Sequence, residues 1–313
     1  MTIDTFLITG LFQVVMLIGL AVLLHLQLGL TGIANFGVVG FWGVGLYVFG
    51  VLYVRVDWPF EDPVRFLVCA ALATVGAAGC GLVVGWLISG LDIDGMLVGT
   101  LGFATVVSIL ATSEQDLTGG ALGMGGLRFP YDVGEVAWNE LIWLFILTGI
   151  VATILVFAWR VHRSPYGRLL IAVGSNEALA RSLGKSTFAT KLVLFTITSA
   201  LMGLLGVMYG VLTRFLELSA LGIELTLAAV VGLVLGGTVR VWGGVVGVLL
   251  TVGLFDVVIQ NYVPVPGGWW TQAVPVLREV LFGLVLIVIL AFRPLGLLGP
   301  MRRDRLMERT HRA

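Results

Sequence analysis

Long apolar runs recur along this chain, separated by short polar or glycine-rich stretches. Each run is about 20 residues long, the length that an α-helix needs to cross a hydrocarbon core of about 30 Å. Because lipid offers no partners to backbone N–H and C=O groups, such runs are predicted to be α-helical. The pattern predicts spans at residues 6–28, 34–54, 64–89, 96–112, 138–160, 188–214, 223–239, 244–262 and 274–292.

The stretch from Gly29 to Gly37 leaves a second count open. It contains three glycines and an asparagine between the first two runs, so it is either a connection or a re-entrant half-helix. The second interpretation adds an element and moves Met1 to the other side of the membrane. The predicted fold class is therefore an all-α, polytopic helical membrane protein with about 9–10 transmembrane elements, some of them broken or re-entrant.

Composition excludes a soluble globular protein. The chain is 58% hydrophobic and 12% charged, whereas soluble domains carry about 25% charged residues. Its 43 glycines among 313 residues suit close helix packing in a membrane, where small side chains let backbones approach each other. We expect a single transmembrane domain over residues 1–300 and a basic tail over residues 301–313.

Positive charge is concentrated in two places. Of the 18 Lys and Arg residues, six lie between Arg160 and Lys191 and six between Arg293 and Arg312. Basic residues beside membrane spans stay on the cytoplasmic side, so the loop at 161–187 and the C-terminal tail are predicted to be cytosolic. The loops around residues 57–62 and 113–137 are acidic and are predicted to face outward. Nine spans would then place Met1 outside.

The sequence lacks the common signatures of enzymes. It has no GxxxxGK[ST], HExxH, CxxC or GxSxG motif, which excludes the usual nucleotide, zinc-protease, redox and hydrolase sites. Its histidines, His25, His162 and His311, are too scattered in sequence for a metal site. We expect no catalytic residue, metal or cofactor, and no nucleic acid among its partners.

A few polar residues are candidates for lining a transport pathway. Asp256 lies in an apolar stretch, where a carboxylate is costly and marks a functional site unless it reaches an interface. It is either the coupling carboxylate of an ion-driven secondary transporter or a residue near the outer interface, hydrogen-bonded to a neighbouring helix. The other candidates are Asn35 and the loop residues Thr118, Gly119 and Gly120, where glycines indicate tight turns or close backbone approach.

Several motifs, in order, resemble a known family. They are Arg163–Arg168 (RSPYGR), Glu177–Gly184 (EALARSLG), Leu117–Gly123 (LTGGALG) and Phe292–Gly299 (FRPLGLLG). Together they resemble the branched-chain amino acid permease family of bacterial and archaeal ABC importers, in its second, longer-looped permease type. The resemblance extends over about residues 25–300.

The resemblance implies a multi-pass subunit of a prokaryotic cell (inner) membrane. Its expected partners are a second permease subunit, two cytosolic ATPase subunits and an extracytoplasmic substrate-binding protein. The expected substrate is a branched-chain amino acid or a related small solute, with urea or short amides as alternatives.

By the same resemblance, residues 175–184 would form a coupling helix seated in an ATPase groove. The residues expected to form it are Asn176, Glu177, Leu179, Ala180, Arg181, Leu183 and Gly184. Asn176 or Ser175 can cap such a helix and Glu177 suits its positive end. The alternative is an amphipathic helix lying on the membrane, with Arg181 and Lys185 at lipid phosphates.

Overall fold

The computed structural model describes residues 5–259 except 60, 132 and 135, together with residues 280, 283, 287, 291, 293 and 296–299. Within the first range, side chains are described from residue 7 to residue 254. Helices dominate this part of the chain, as the apolar pattern predicts, and its strands form one two-stranded sheet.

The elements follow one another in a simple order along the chain. The first half contains α1 Thr5–Leu24, which continues as a π-helical turn His25–Leu30, α2 Val38–Arg55, α3 Asp62–Ile88, α4 Ile93–Ser113, α5 Gln115–Thr118, a 3-10 turn Gly120–Leu122, β1 Met124–Gly125 and α6 Val136–Arg163. The second half contains α7 Pro165–Ser175, α8 Glu177–Ser182, α9 Thr187–Thr213, β2 Phe215–Leu216, a 3-10 turn Leu218–Leu221, α10 Ile223–Gly236 and α11 Val241–Val248, which continues as a π-helical segment Leu249–Ile259.

The described residues contain six helices that are long and apolar enough to cross a membrane. They are α1 with its π-helical turn, α2, α3, α4, α6 and α9, and they correspond to the first six spans predicted from sequence. The chain is therefore a multi-pass helical membrane protein. The ninth predicted span, 274–292, and the tail at 301–313 lie outside the described residues apart from single positions.

The seventh and eighth predicted spans differ from their prediction. The segments Ile223–Gly236 and Val241–Leu254 are bent by 115° relative to each other, so they form one broken span or a re-entrant loop. The reversal occurs at Gly237, whose φ of 111° is disfavoured for residues with a Cβ. A Cβ at Gly236 would lie 1.7 Å from the Gly243 carbonyl oxygen. This direct backbone contact lets the two helices fold closely back on each other.

The centre of the bundle is built from α2, α3 and α9, which pack against one another. Glycines make the close approach of α2 and α9 possible. A Cβ at Gly45 would lie 2.0 Å from the Gly203 carbonyl oxygen, and one at Gly206 would lie 2.0 Å from the Trp42 carbonyl oxygen. This is the packing that small residues provide between helices in a membrane.

Two opposite faces of the bundle carry the connecting segments. On one face, called the sheet face, β1 pairs with β2 in antiparallel fashion, with Met124 opposite Leu216. There, Arg214 also forms a 3.0 Å ion pair with Glu140 near the start of α6. The other face, called the α8 face, carries α7 and α8. The loop at 113–137 and the segment after α9 are thus held on one side, as the alternation of spans predicts.

Candidate functional site

The α8 face carries two consecutive short helices between α6 and α9. The first, α7, begins with Ser164, whose hydroxyl accepts a 3.0 Å hydrogen bond from the Gly167 N–H, and Pro165 follows in the first turn. Sequence reasoning predicted only the second helix, although Ser followed by Pro is a standard helix-start signal. In the second, α8, Asn176 Oδ1 accepts a 2.9 Å hydrogen bond from the Leu179 N–H. Gly184 follows α8 with a φ of +75°.

A buried ion pair fastens α8 to α9. The Lys191 ammonium contacts Glu177 Oε2 at 2.5 Å, and Arg181 contacts Glu177 Oε1 at 3.0 Å. The Lys191 side chain is only 6% exposed. Burial by itself would raise the pKa of the Glu177 carboxyl, but the hydrogen bond and charge of Lys191 outweigh it, so the pKa lies below its ordinary value. Glu177 therefore orients α8 from the inside.

The outward surface of α8 is apolar. Leu179 is 57% exposed and Leu183 is 71% exposed, whereas Ala180 between them is buried against the protein. Leucines four apart lie on one side of a helix, so the two form a single patch. Glu177 and Ala180 thus hold the helix in place, and Leu179 and Leu183 remain available to another surface.

We expect the loss of Glu177 to destabilise the protein more than the loss of Lys191. Glu177→Gln leaves a buried ammonium without its carboxylate, at a cost of about 3 kcal/mol, whereas Lys191→Met leaves Glu177 with Arg181. The midpoint of thermal unfolding at pH 7 measures both, and the exposed pair variant Arg181→Met should change it little.

The Glu177→Gln deficit should also depend on pH. Because the folded pKa is lowered, the stabilisation is complete above about 4.5, the ordinary value, and disappears as pH falls through the folded pKa. The difference between wild type and variant should therefore shrink in acid. Equal destabilisation by the Glu177 and Lys191 variants at pH 7 would contradict this account.

A direct backbone contact links α7 to a break in the helices of the core. A Cβ at Gly174, near the end of α7, would lie 2.4 Å from the Leu30 carbonyl oxygen. Leu30 is the last residue of the π-helical turn after α1, and residues 32–37 beyond it are not helical. A cavity of about 500 Å³ lies beside this contact, between Gly32, Asp92 and the Glu177–Lys191 pair. The pair of short helices thus rests on the helix break.

Side chains from four other parts of the bundle satisfy the polar groups of this break. Gln27 donates to the Thr198 hydroxyl at 2.6 Å and accepts from the Asn35 amide at 2.9 Å, and Asn35 Oδ1 accepts from the Gly37 N–H at 2.8 Å. Thr100 of α4 accepts from the Phe36 N–H at 3.0 Å. Non-helical backbone at membrane depth is tolerated where protein groups pair it. The break is therefore a built feature of the fold.

This network gives Asn35 a definite place. Its side chain is 1% exposed and makes two hydrogen bonds, so it holds the two sides of the break together. The alternative that sequence analysis left open at Gly29–Gly37 resolves into an unwound connection between α1 and α2, with no separate half-helix. Whether Asn35 also lines the pathway stays a prediction.

Replacing Asn35 by the similarly sized leucine should loosen the break. Asn35→Leu leaves Gln27 Oε1 without its donor and the Gly37 N–H without its acceptor, which costs about 1–3 kcal/mol for each buried group. We expect a lower midpoint of thermal unfolding and faster hydrogen exchange at residues 32–37. Thr105→Val removes an exposed hydroxyl bonded within its own helix and should have little effect. An unchanged exchange rate in Asn35→Leu would argue against this role.

The loop candidates lie elsewhere. Thr118 is buried and donates to the Ala111 carbonyl at 2.6 Å, and the Gly120 N–H donates to its hydroxyl at 3.1 Å. Gly119 and Gly120 have positive φ, so the predicted tight turn is present. This turn follows α4, whereas Thr100 at the break is 18 residues earlier, about 27 Å along a helix. The structure does not bring these residues to Asn35, and their part in transport stays a prediction.

A cavity of about 390 Å³ on the sheet face was not predicted. Its walls come from α1, α2, α9, the 3-10 turn Leu218–Leu221 and α10, and include Gln13, Trp42, Tyr209, Glu217 and Glu224. Gln13 and Glu224 stand out in the sequence as polar residues near apolar runs. Trp42 and Tyr209 carry no such signal, because aromatic residues in spans are usually part of the core.

The side chain of Asp256 lies outside the described residues, although the backbone there belongs to the π-helical segment Leu249–Ile259. Among the described residues there is no group of three His, Cys, Asp or Glu side chains that could hold a metal ion. The geometry in that part of the chain is that of a helical bundle with a docking patch on one face and a cavity on the other.

Comparison with known proteins agrees with this geometry. Residues 6–290 match the sequence model of the family described as "Branched-chain amino acid transport system / permease component". The chain is 25% identical to the high-affinity branched-chain amino acid transport system permease protein LivM of Salmonella typhimurium over 93% of this chain and 69% of LivM, and 25% identical to LivM of Escherichia coli over 96% and 71%.

A second group of relatives carries another name. The autoinducer 2 import system permease protein LsrC of Salmonella paratyphi B is 24% identical over 77% of this chain and 66% of LsrC. No solved structure matches the chain. The extent of the family match, together with the described bundle of apolar helices, shows that this chain belongs to the branched-chain amino acid transport permease family, the membrane components of ABC-type transport.

Proposed function

We propose that this chain is the membrane-spanning subunit of an ABC importer and that separate ATPase subunits drive it by docking on α8. The observation that carries the proposal is the exposed patch of Leu179 and Leu183 on a short helix whose opposite side is anchored by Glu177 and Ala180. An anchored helix with an apolar outer surface suits the transfer of force from a partner. A helix that only lay on lipid would not need the buried Lys191 pair.

The contacts of α8 suggest how movement would reach the pathway. A displacement of α8 is passed to α9 through Glu177 and Lys191, and to α7 through the short connection at Asn176. The end of α7 lies directly on Leu30. A shift there would open or close the hydrogen bonds of Gln27 and Asn35, which hold the unwound segment. The break would thus act as the element with two arrangements that a transport cycle requires.

The direction of transport follows from the charges of the two faces. The basic residues between Arg160 and Lys191 lie on or beside the α8 face, which supports a cytosolic position for it. The sheet face carries Asp57, Glu61 and Glu114, and would receive substrate from the binding protein. The C-terminal tail would be cytosolic, as its arginines indicate.

For substrate, we propose a branched-chain amino acid or a similar small solute. The family description and the LivM proteins name branched-chain amino acids, and LsrC is named for autoinducer 2. Urea and short amides remain the alternatives for a compact solute. A second permease subunit would complete the pathway, since the cavity on the sheet face is open at one side of this chain.

Reconstitution of the complex in liposomes tests the proposal. The chain, with its second permease, ATPase subunits and binding protein, should accumulate radiolabelled leucine only when ATP is supplied to the α8 side. The control is the purified chain alone under an imposed proton or sodium gradient, which should show no uptake. Uptake by the chain alone under either gradient would contradict the proposal and favour a secondary transporter.

A further inference from the structure

The cavity on the sheet face has an unusual arrangement of donors and acceptors from its floor to its mouth. At the floor lies Trp42, which is 1% exposed and whose indole Nε1–H has no hydrogen-bond partner among the described residues. A buried N–H without a partner costs free energy, so native proteins almost always satisfy it. This donor lines a space large enough for a small solute. It therefore points to a ligand that brings an acceptor.

The mouth of the same cavity presents acceptors. Glu217 and Glu224 are exposed residues that line the cavity, and no Lys, Arg or His occurs among its described lining residues. The Tyr209 ring lies 5.0 Å from the Trp42 ring, and its hydroxyl reaches Glu217 Oε1 at 3.5 Å. One wall therefore runs from the orphan donor to a carboxylate. Its charge would attract a cationic group and repel an anionic one.

The opposite wall is apolar. Phe12, Met16 and Leu17 of α1 line the cavity and contribute only hydrocarbon and a thioether. A volume of about 390 Å³ is within the range of small-molecule sites. The cavity thus combines a buried donor, an acceptor at the mouth and an apolar side.

We propose that this cavity is a binding site for a small zwitterionic amino acid with an apolar side chain. The solute's carboxylate would accept from Trp42 Nε1–H, its ammonium would lie against Glu217 and Glu224, and its side chain would pack on α1. The proposal rests on the proposed function and adds to it the site and the polarity of the solute. A sugar or a neutral amide would leave the paired carboxylates without a charged partner.

Photolabelling of the assembled complex in nanodiscs tests the site directly. The binding protein is omitted, so that any selectivity belongs to the membrane subunits. The probe is photo-leucine, a diazirine analogue of leucine, and labelled peptides are identified by mass spectrometry. We expect labelling in the α1 segment that contains residues 12–17. Labelling confined to other segments would overturn the proposal.

Competition then tests the two ends of the solute. In wild type, leucine should compete at least about tenfold better than leucinamide, which lacks the carboxylate, or 4-methylpentanoate, which lacks the ammonium, because each lost charged hydrogen bond costs about 1.5–3 kcal/mol. Trp42→Phe should remove the preference over leucinamide only. Glu217→Gln combined with Glu224→Gln should remove the preference over 4-methylpentanoate only.

The matched control is Trp86→Phe, at an exposed tryptophan of α3 outside the cavity. It should keep both preferences, and competition that is unchanged in the Trp42 and glutamate variants, or is achieved equally by glucose, would overturn the proposed site. Uptake by the same wild-type preparation separates the two levels. ATP-driven leucine uptake with unchanged competition refutes the site alone, whereas no ATP-driven uptake of any solute refutes the proposed function as well.

Discussion

Replacing Leu179 and Leu183 together by aspartate is expected to abolish ATP-driven uptake in a protein that still folds. Both side chains point away from the protein and make up the apolar surface of α8. Burying two carboxylates in an apolar partner groove is costly, and central apolar contacts carry much of the binding energy of an interface. We expect a loss of uptake of at least about 100-fold, measured with labelled leucine in proteoliposomes.

The leucine variants come with an internal control. Leu179→Met with Leu183→Met keeps the apolar volume of the patch and should preserve uptake. The midpoint of thermal unfolding should be nearly the same for the aspartate, methionine and wild-type proteins, because neither leucine is part of the core. Normal uptake by the aspartate variant would remove α8 as the ATPase contact.

Replacing Gly174 by valine is expected to disconnect ATP hydrolysis from transport. The new Cβ would lie 2.4 Å from the Leu30 carbonyl oxygen and 3.0 Å from Thr31 backbone atoms. A backbone neighbour cannot move aside by changing rotamer, so α7 must separate from the helix break. We expect uptake to fall by at least about tenfold while the ATPase subunits still bind, since Leu179 and Leu183 are unaffected.

The measurement for Gly174→Val is the number of leucine molecules accumulated per ATP hydrolysed. Ala172→Val adds the same side chain at an exposed position of α7 and should leave this ratio near the wild-type value. A normal ratio in Gly174→Val would show that force reaches the pathway by another route, such as the Glu177–Lys191 contact with α9.

Much of the bundle could be predicted from apolar length alone, because each span must satisfy its own backbone. The bend between α10 and α11 could not be predicted in this way. Both halves are apolar, and the reversal depends on glycines such as Gly236 and Gly243 meeting across the bend. In a chain with 43 glycines, these carry no distinguishing signal. The sequence also hid α7, although Ser164 and Pro165 mark its start.

The candidate site divides in the same way. The polar start of α8 and its exposed leucines follow from local spacing, which the sequence displays. The pairing of Glu177 with Lys191, 14 residues later, depends on how α8 folds onto α9. The same holds for Gln27 and Thr198, which are 171 positions apart and meet only in the folded bundle. Trp42 acquires its significance from the lack of a partner, which only coordinates reveal.

The account depends on α8 meeting an ATP-hydrolysing partner in the cytosol, and photocrosslinking in intact cells tests this most directly. The photoreactive residue p-benzoylphenylalanine is introduced at Leu183 in the complete transporter, and at Leu122 on the sheet face as a comparison. The account predicts a crosslink from position 183 to an ATPase subunit and none from position 122. Crosslinks from position 183 to lipid alone, or a crosslink to the ATPase from position 122, would contradict it.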